Sequence, residues 1–381
     1  MFVDTITIII CFVLLSLSLL SIFANPFFRK IKVSKNNDID CNNLHVPSIS
    51  VLIIAHDDPD SLQNTLSAVI GQDYSQDFEI IVVIDQGDVI AENIIKTCAQ
   101  ERKIYTTFVP RKSLFMSKEK LAVSLAVKAA HNEWIALLKS GCVPQSTKWL
   151  TTMSRNCNEE ISIITGYCNY NLDAPGYYRF EQLRTSLYLI RKAQFKTAYR
   201  ANGYNILFRK SVFINEDGYR GNLEFRHGVC DFLVNKYAQK GNTVAEISKV
   251  ACVREGFTQK TWYNKNIHSI HIRKHFLRRL SFKFLYDIDL FLMYLNYAII
   301  FSTIIYASLT LNMILMSVSL ILLIMTIVLR VIIARNAIIR FGETMSVWKI
   351  IPYEFALLIC NMILRLKYQK SDKRDYTTHK I

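Results

Sequence analysis

EWIALLKSGCVP, residues 133–144, reads as a buried strand followed by a break. Trp134 to Leu138 is an uninterrupted apolar run of strand length, the pattern of a parallel strand covered on both faces. Pro144 is expected to start a new element. Between the two lies Lys139-Ser140-Gly141, at the strand's carboxyl end, the place where open α/β sheets take their ligands. An ammonium group and two small residues are an unusual endowment for such a place.

Working outward, short apolar strands alternate with helix-length amphipathic segments. Strands are expected at Ile49–Ala55, Phe78–Ile84 and Ile104–Val109, and helices at Asp60–Ile70, Val89–Gln100 and Ser117–Ala130. Leu62, Leu66, Val69 and Ile70 share one face of the first helix, and Ser117 is an N-cap residue type with Glu119 and Lys120 in the turn that follows. This alternation implies an α/β, Rossmann-like domain whose sheet is mostly parallel, with right-handed crossovers. After Lys148 the order loosens. A strand is expected at Ile161–Cys168, a helix around Tyr178–Lys196, a strand pair near Asn205–Arg209, and a helix at Val229–Lys240 stopped by Gly241. There is no internal repeat.

Apolar residues make up 51% of the 381 and are unevenly placed. Thr5 to Ala24 holds no charge and, at about 1.5 Å per residue, is long enough to cross a hydrocarbon core. Asp4 where a basic start would be needed, and the lack of a small-x-small cleavage site, favour an anchor over a signal peptide. Leu290–Leu309 and Leu311–Leu329 read as two closely linked spans, a transmembrane hairpin. Pro352–Leu366 reads as a further apolar helix, Pro352 suiting its first turn. Glu354 and Asn361 interrupt its apolar character, so it is expected to lie in the interface. The organisation expected is an N-terminal transmembrane helix (1–25), a basic linker (26–47), an α/β domain (48–285), the hairpin (286–335), a basic loop with an interfacial amphipathic helix (336–366), and a charged, disordered tail (367–381).

The net charge is +15. Its basic residues gather at the edges of the spans: Arg29, Lys30, Lys32 and Lys35 after the first, Arg273, Lys274, Arg278, Arg279 and Lys283 before the second, Arg330, Arg335 and Arg340 at and after the third. This is the positive-inside pattern. It implies a multi-pass protein of the plasma (inner) membrane with a cytoplasmic domain and membrane lipids as partners, and it accounts for the charge without nucleic acid. The nine cysteines form no CxxC pair or Cys/His cluster at metal spacing, so free thiols are expected.

PSISVLIIAHDDPDSLQNTLSAV (47–69) followed by FEIIVVIDQ (78–86) resembles the start of the family 2 glycosyltransferases. The resemblance runs from about Pro47 through the C-terminal membrane hairpin. It implies a GT-A fold, a UDP-type nucleotide or nucleotide-sugar ligand, and a place among members that build or decorate surface polysaccharides and lipid-linked glycans, beside other glycan-assembly membrane proteins. Asp57 and Asp58 lie where the family cradles base and ribose, although Asp-Asp-Pro is also turn chemistry. Asp85 matches the aspartate that binds the base imide, with helix capping as the alternative. Lys118 matches the lysine of a glycine-lysine pair facing the nucleotide; Ser117 replaces the glycine.

The reaction itself asks for more. A departing nucleoside diphosphate leaves with two or more negative charges, which the family neutralises with Mg²⁺ or Mn²⁺ on an Asp-Ala-Asp triplet. Here the triplet reads Lys139-Ser140-Gly141, which supplies no carboxylate, and Cys142 is a poor ligand for a hard cation. The family's metal site is therefore expected to be lost, with no metal ligands and no cofactor. The acidic cluster that supplies the general base is reduced to Asp231 in Gly228-Val229-Cys230-Asp231, where a first-turn aspartate also suits the helix dipole. Downstream, Trp262 is kept, Lys265 stands where glutamine is usual and His268 where arginine is usual, which removes a bidentate phosphate fork. Trp262 suits a sugar face or an interfacial anchor equally. Two functions follow. In one, metal-dependent transfer is lost or strongly altered and the chain is a pseudoenzyme. In the other, an active metal-independent inverting transferase uses Lys139 and neighbouring cations on the diphosphate. The three altered positions favour the first.

Overall fold

The structure is a computed structural model and describes residues 4–28, 31, 46–55, 61–110, 113, 116–195 and 197–377. The chain divides into two compact units, one of residues Met1–Lys30 and Leu280–Cys360, the other of Ile31–Arg279 and Asn361–Ile381.

α1 (Thr5–Ala24) is followed by β1 (Ile49–Ala55), α2 (Leu62–Ile70), β2 (Phe78–Asp85), α3 (Val89–Cys98), β3 (Ile104–Val109), α4 (Lys118–Ala129) and β4 (Trp134–Lys139). Next come β5 (Cys142–Pro144), α5 (Trp149–Ser154), β6 (Ile163–Gly166), β7 (Cys168–Tyr170), α6 (Gly176–Phe195) and β8 (Ile206–Arg209). The second unit's remaining core elements are α7 (Lys210–Asn215), α8 (Val229–Tyr237), β9 (Thr243–Glu246), β10 (Val253–Glu255) and α9 (Gln259–Ile272).

The main sheet has the order β3-β2-β1-β4-β8-β6-β9. Its first four strands are parallel, β8 runs antiparallel to both neighbours, and β6 and β9 are parallel. The expected mostly parallel α/β sheet is present. All seven residues of β1 are buried, and β4 is buried up to Lys139, which is why both read as apolar runs rather than alternations. A second sheet, β5-β10-β7, lies beyond the end of β4 in sequence.

Three local expectations differ. The strand expected over Ile161–Cys168 divides into β6 and β7, which join different sheets. The break falls beside Gly166, where a Cβ would come within 2.3 Å of the Asn205 amide nitrogen. Only glycine admits that approach. It lets Asn205 donate to the carbonyls of Tyr167 and Ala251 and accept from the Trp149 indole N–H at 3.0 Å, so a buried amide is satisfied. The strand pair expected near Asn205–Arg209 is the single strand β8. Pro144 ends β5 instead of opening an element, and it does so at a sheet edge, where a missing N–H costs nothing.

The other unit is helical: α1, α10 (Arg279–Leu309), α11 (Met313–Arg340) and the first half of α12 (Ile350–Lys370). Helices Thr5–Ala24, Tyr286–Leu309, Met313–Arg340 and Val347–Lys370 are each long and apolar enough to cross a membrane. The fourth contains the segment expected to lie in the interface on account of Glu354. In the structure that carboxylate is buried and accepts two hydrogen bonds from Arg330, at 2.8 and 3.0 Å. The same guanidinium donates to the Ser21 carbonyl and hydroxyl and stands 4.0 Å from Asp289. One arginine thus ties together α1, α10, α11 and α12.

The tail expected to be disordered from Lys367 continues as helix to Lys370 and then forms a 3₁₀ turn at Lys373–Tyr376, with Tyr376 buried. Its aromatic side chains, overlooked among the charges, join a cluster with Trp262, Tyr170 and Leu364. Most of the expected 26–47 linker falls outside the described residues.

Removing Arg330 while leaving Glu354 strands a buried carboxylate, at a cost of about 3–5 kcal/mol. Arg330→Met should therefore lower the thermal unfolding midpoint of the detergent-purified protein sharply. Arg330→Met with Glu354→Met should recover most of that loss. Equal midpoints for the two variants would contradict the pairing.

Candidate functional site

Because β1, β2 and β4 are parallel and in register, with Ala55 opposite Ile84 and Ile54 opposite Lys139, their carboxyl ends finish at one edge. α4 begins at that edge. Ser117 caps it, its hydroxyl accepting from the Lys120 N–H at 3.4 Å. The cap fixes Lys118 and Glu119 over the strand ends. Lys118 donates to Asp85 Oδ1 at 3.3 Å, so two residues singled out separately in the sequence form one ion pair. Asp57 and Asp58 lie outside the described residues.

Lys139 ends β4 with its ammonium donating to Glu119 Oε1, and the Tyr204 hydroxyl donates to the other oxygen of that carboxylate at 3.3 Å. Ser140 donates its N–H to the Ile54 carbonyl at 2.9 Å. Gly141 follows at φ +82°, a left-handed conformation that favours glycine, and its N–H donates to the Thr65 hydroxyl at 3.0 Å. Burial pushes the Cys142 thiol up to about 12, so it stays protonated.

The downstream residues are paired in the same manner. Lys265, in α9, bonds to Glu255 at the end of β10, and its ammonium stands 5.3 Å from the Tyr170 ring centroid. Asp231, in the first turn of α8, is 3.7 Å from Arg200. Burial raises its carboxyl above the ordinary range, against the pull of Arg200, Lys265 and Arg273. Trp262 is buried, 4.9 Å from Tyr178, and donates its indole N–H to Glu181 at 2.8 Å. Burial lifts Glu181 to about 7, opposed by that hydrogen bond. The Trp262 ring is thus packed into an aromatic cluster. His268 lies against His227 with ring centroids 3.9 Å apart and the planes tilted at 45°, and burial together with its basic neighbours lowers it to about 3.

Residues 50–215 match the family model described as glycosyl transferase family 2. That stretch is a family 2 glycosyl transferase domain. Among solved structures, the chain is similar to a mannosyltransferase, PcManGT, from Pyrobaculum calidifontis, in complex with GDP-Man and Mn²⁺. Identity is 12%, coverage 88% of this chain and 97% of that one, and the TM-score 0.50. It is also similar to TarS from S. aureus (12% identity, 62% and 42% coverage, TM-score 0.42). A third neighbour is glucosyl-3-phosphoglycerate synthase from Mycobacterium tuberculosis with Mn²⁺ and UDP-glucose (11%, 65% and 86%, TM-score 0.45). No curated protein matches the sequence. The fold is GT-A.

In the family 2 domain the residues at the end of β4 do not fit a divalent metal. Lys139-Ser140-Gly141 brings an ammonium in place of carboxylates, and among the described residues the carboxylate beside that ammonium, Glu119, is bound to it. Among the described residues no group of three or more His, Cys, Asp or Glu side chains is placed to hold a metal ion. Sequence reasoning finds the lysines, and Asp85 beside Lys118, but not the partners of Lys139 and Lys265. Glu119 had been noticed only for its position in a helix's first turn, and Glu255, Glu181, Arg200 and His227 gave no signal, because each is brought in by a separate element.

The Lys139–Glu119 pair is partly buried. A double-mutant cycle with Lys139→Met and Glu119→Gln should return a coupling of about 1 kcal/mol in chemical denaturation. A coupling of zero would show the pair to be unformed in solution.

Proposed function

We propose that this chain is a membrane-bound family 2 glycosyltransferase-like protein of surface glycan or polysaccharide assembly in which metal-dependent nucleotide-sugar transfer is lost or strongly altered. One observation supports this above the rest. Four of the described cations at the candidate site face a carboxylate of the same domain: Lys118 with Asp85, Lys139 with Glu119, Lys265 with Glu255 and Arg200 with Asp231. A nucleoside diphosphate needs positive charge that is free to turn toward it. Here its phosphates would meet Asp85, Glu119 or Glu255 beside Lys118, Lys139 or Lys265. The ligand class is a UDP-type nucleotide or nucleotide-sugar, bound weakly and without Mg²⁺ or Mn²⁺. The domain lies on the cytoplasmic side, a reading supported by the basic residues at the helix ends, and other glycan-assembly membrane proteins are its partners.

Calorimetric titration of the purified protein with UDP and with GDP, with and without Mn²⁺, tests the metal. Affinities should agree within tenfold, about 1.4 kcal/mol, and Asp85→Ala should abolish whatever binding is seen. A larger Mn²⁺ effect would restore metal-dependent chemistry. Lys139→Ala should leave cellular glycans unchanged. A glycan defect at normal protein abundance would establish the metal-independent transferase instead.

Orientation is tested separately. Ser75, which is exposed, replaced by cysteine should resist an impermeant thiol reagent in intact cells and react after permeabilisation. Labelling of intact cells would reverse the topology.

A further inference from the structure

The C-terminal segment is held against the family 2 domain by a surface made largely of histidine. Thr377 forms an antiparallel bridge with Phe225. Arg226 donates its N–H to the Tyr376 carbonyl at 3.1 Å and its Nε to the Thr377 carbonyl at 3.0 Å. The Tyr376 ring stacks on His271 at 4.9 Å and meets the edge of His268 at 5.0 Å. His271 Nδ1 lies 3.0 Å from the Tyr368 hydroxyl, and His275 lies 5.5 Å from His271 and 4.7 Å from Phe225. The covered surface is the one that matters for the site: α9, which bears Trp262, Lys265 and His268, and the Phe225–Gly228 loop that leads into Asp231.

We propose that Ser371–Thr377 is an acid-released strap, closed over α9 and the Phe225–Gly228 loop while the histidines beneath it are neutral and freed when they take up protons. Geometry sets this up. Four histidine rings and Arg226 are gathered at one contact, and the ring faces that hold Tyr376 belong to groups that gain charge on protonation.

The surrounding charges act in the same direction. On the strap side Lys373 lies 3.7 Å from the centre of the Tyr368 ring, and Lys274, after α9, approaches the same ring at 4.5 Å. From α4, Lys120 is buried, which lowers it to about 7, and it donates to the Phe225 carbonyl at 2.7 Å, so it too gains charge under the loop as pH falls. Lys139 faces His227 from β4. Against these stand Glu119 beside His227 and His268, and Asp375 on the strap itself. Burial first, and these cations and neighbouring histidines second, lower His268 to about 3 and His271 to about 4.

The sign follows from linkage. The released histidines titrate near 6.5, so below that pH the open state binds protons that the closed state refuses. Closure is therefore complete above about pH 6.5 and weakens progressively as pH falls toward 4. Between pH 7.5 and 5, a group held neutral throughout would shift the equilibrium about thirtyfold. Both rings are partly solvated, so a tenfold shift from the pair is the expectation.

Hydrogen–deuterium exchange on the full-length protein in detergent, corrected for intrinsic rates, reads the opening directly. Amides of 371–377 and of Arg226 should lose at least tenfold protection between pH 7.5 and 5, while β1, β2 and β4 keep theirs. His268→Phe with His271→Phe preserves the ring packing and removes the titration, and its strap protection should not change with pH. Tyr376→Ala should open the strap already at pH 7.5 with the sheet intact. Unchanged strap protection in the natural protein overturns the proposal. So does an equal loss in the sheet, a pH response that survives the double variant, or a double variant already open at pH 7.5.

Discussion

Strands covered on both faces leave a protein nowhere to place charge except at their ends. β1, β2 and β4 are buried almost throughout, so the polar groups of this sheet emerge together where the strands stop, beside the first turn of α4. Opposite charges confined to that edge neutralise one another, since a desolvated ammonium or carboxylate without a partner is costly. Lys139 cannot follow a buried strand without an acceptor, and Glu119 is that acceptor because the Ser117 cap fixes where α4 begins. The Lys118–Asp85 pair arises from the same turn of helix. Much of the site's electrostatics follows from the position of that one cap.

The βα half of the domain was legible because its strands are apolar runs of ordinary length and its helices amphipathic. The bounds expected for β1 and β3 are those observed, and β2 and β4 each extend one residue further, to Asp85 and Lys139. The half after Lys148 was harder for a physical reason. β5, β7 and β10 are three residues long, too short for periodicity to register, and the division at Gly166 depends on Asn205, distant in sequence. At the site, the residue types at the strand ends were readable and their pairing was not. Nothing near Lys265 announces Glu255 as its partner, because β10 and α9 are brought side by side by the fold. Trp262 illustrates the other limit. Its presence was evident, but its ring is buried against Tyr178 with its N–H given to Glu181, which composition cannot reveal.

The helical unit obeys the same rule. Glu354 looked like a reason to keep its helix out of a bilayer, since an isolated carboxylate there is expensive. Arg330 alters that judgement. Its guanidinium offers a planar fork to Glu354 and still has a nitrogen for Ser21 on α1, a geometry that lysine could not reproduce. Polar residues that appear as defects in separate apolar segments become, when four helices assemble, the contacts that set which faces meet.

An internal ion pair and a bound divalent cation are not equivalent before a phosphate, even where the charges balance. Two carboxylates with one divalent metal sum to zero, and so do Lys139 and Glu119. What differs is coordination. A metal held on one side by carboxylates keeps positions open toward phosphate oxygens, whereas the Lys139 ammonium is already directed at Glu119, whose second oxygen is taken by Tyr204. To serve a diphosphate, Lys139 would have to leave that carboxylate and abandon it, partly buried, beside two incoming phosphates. The barrier is therefore set by the acid beside the ammonium, and Glu255 stands in the same way beside Lys265. The same pairing thus recurs across two elements, α4 and β10, each of which sets a carboxylate against a lysine.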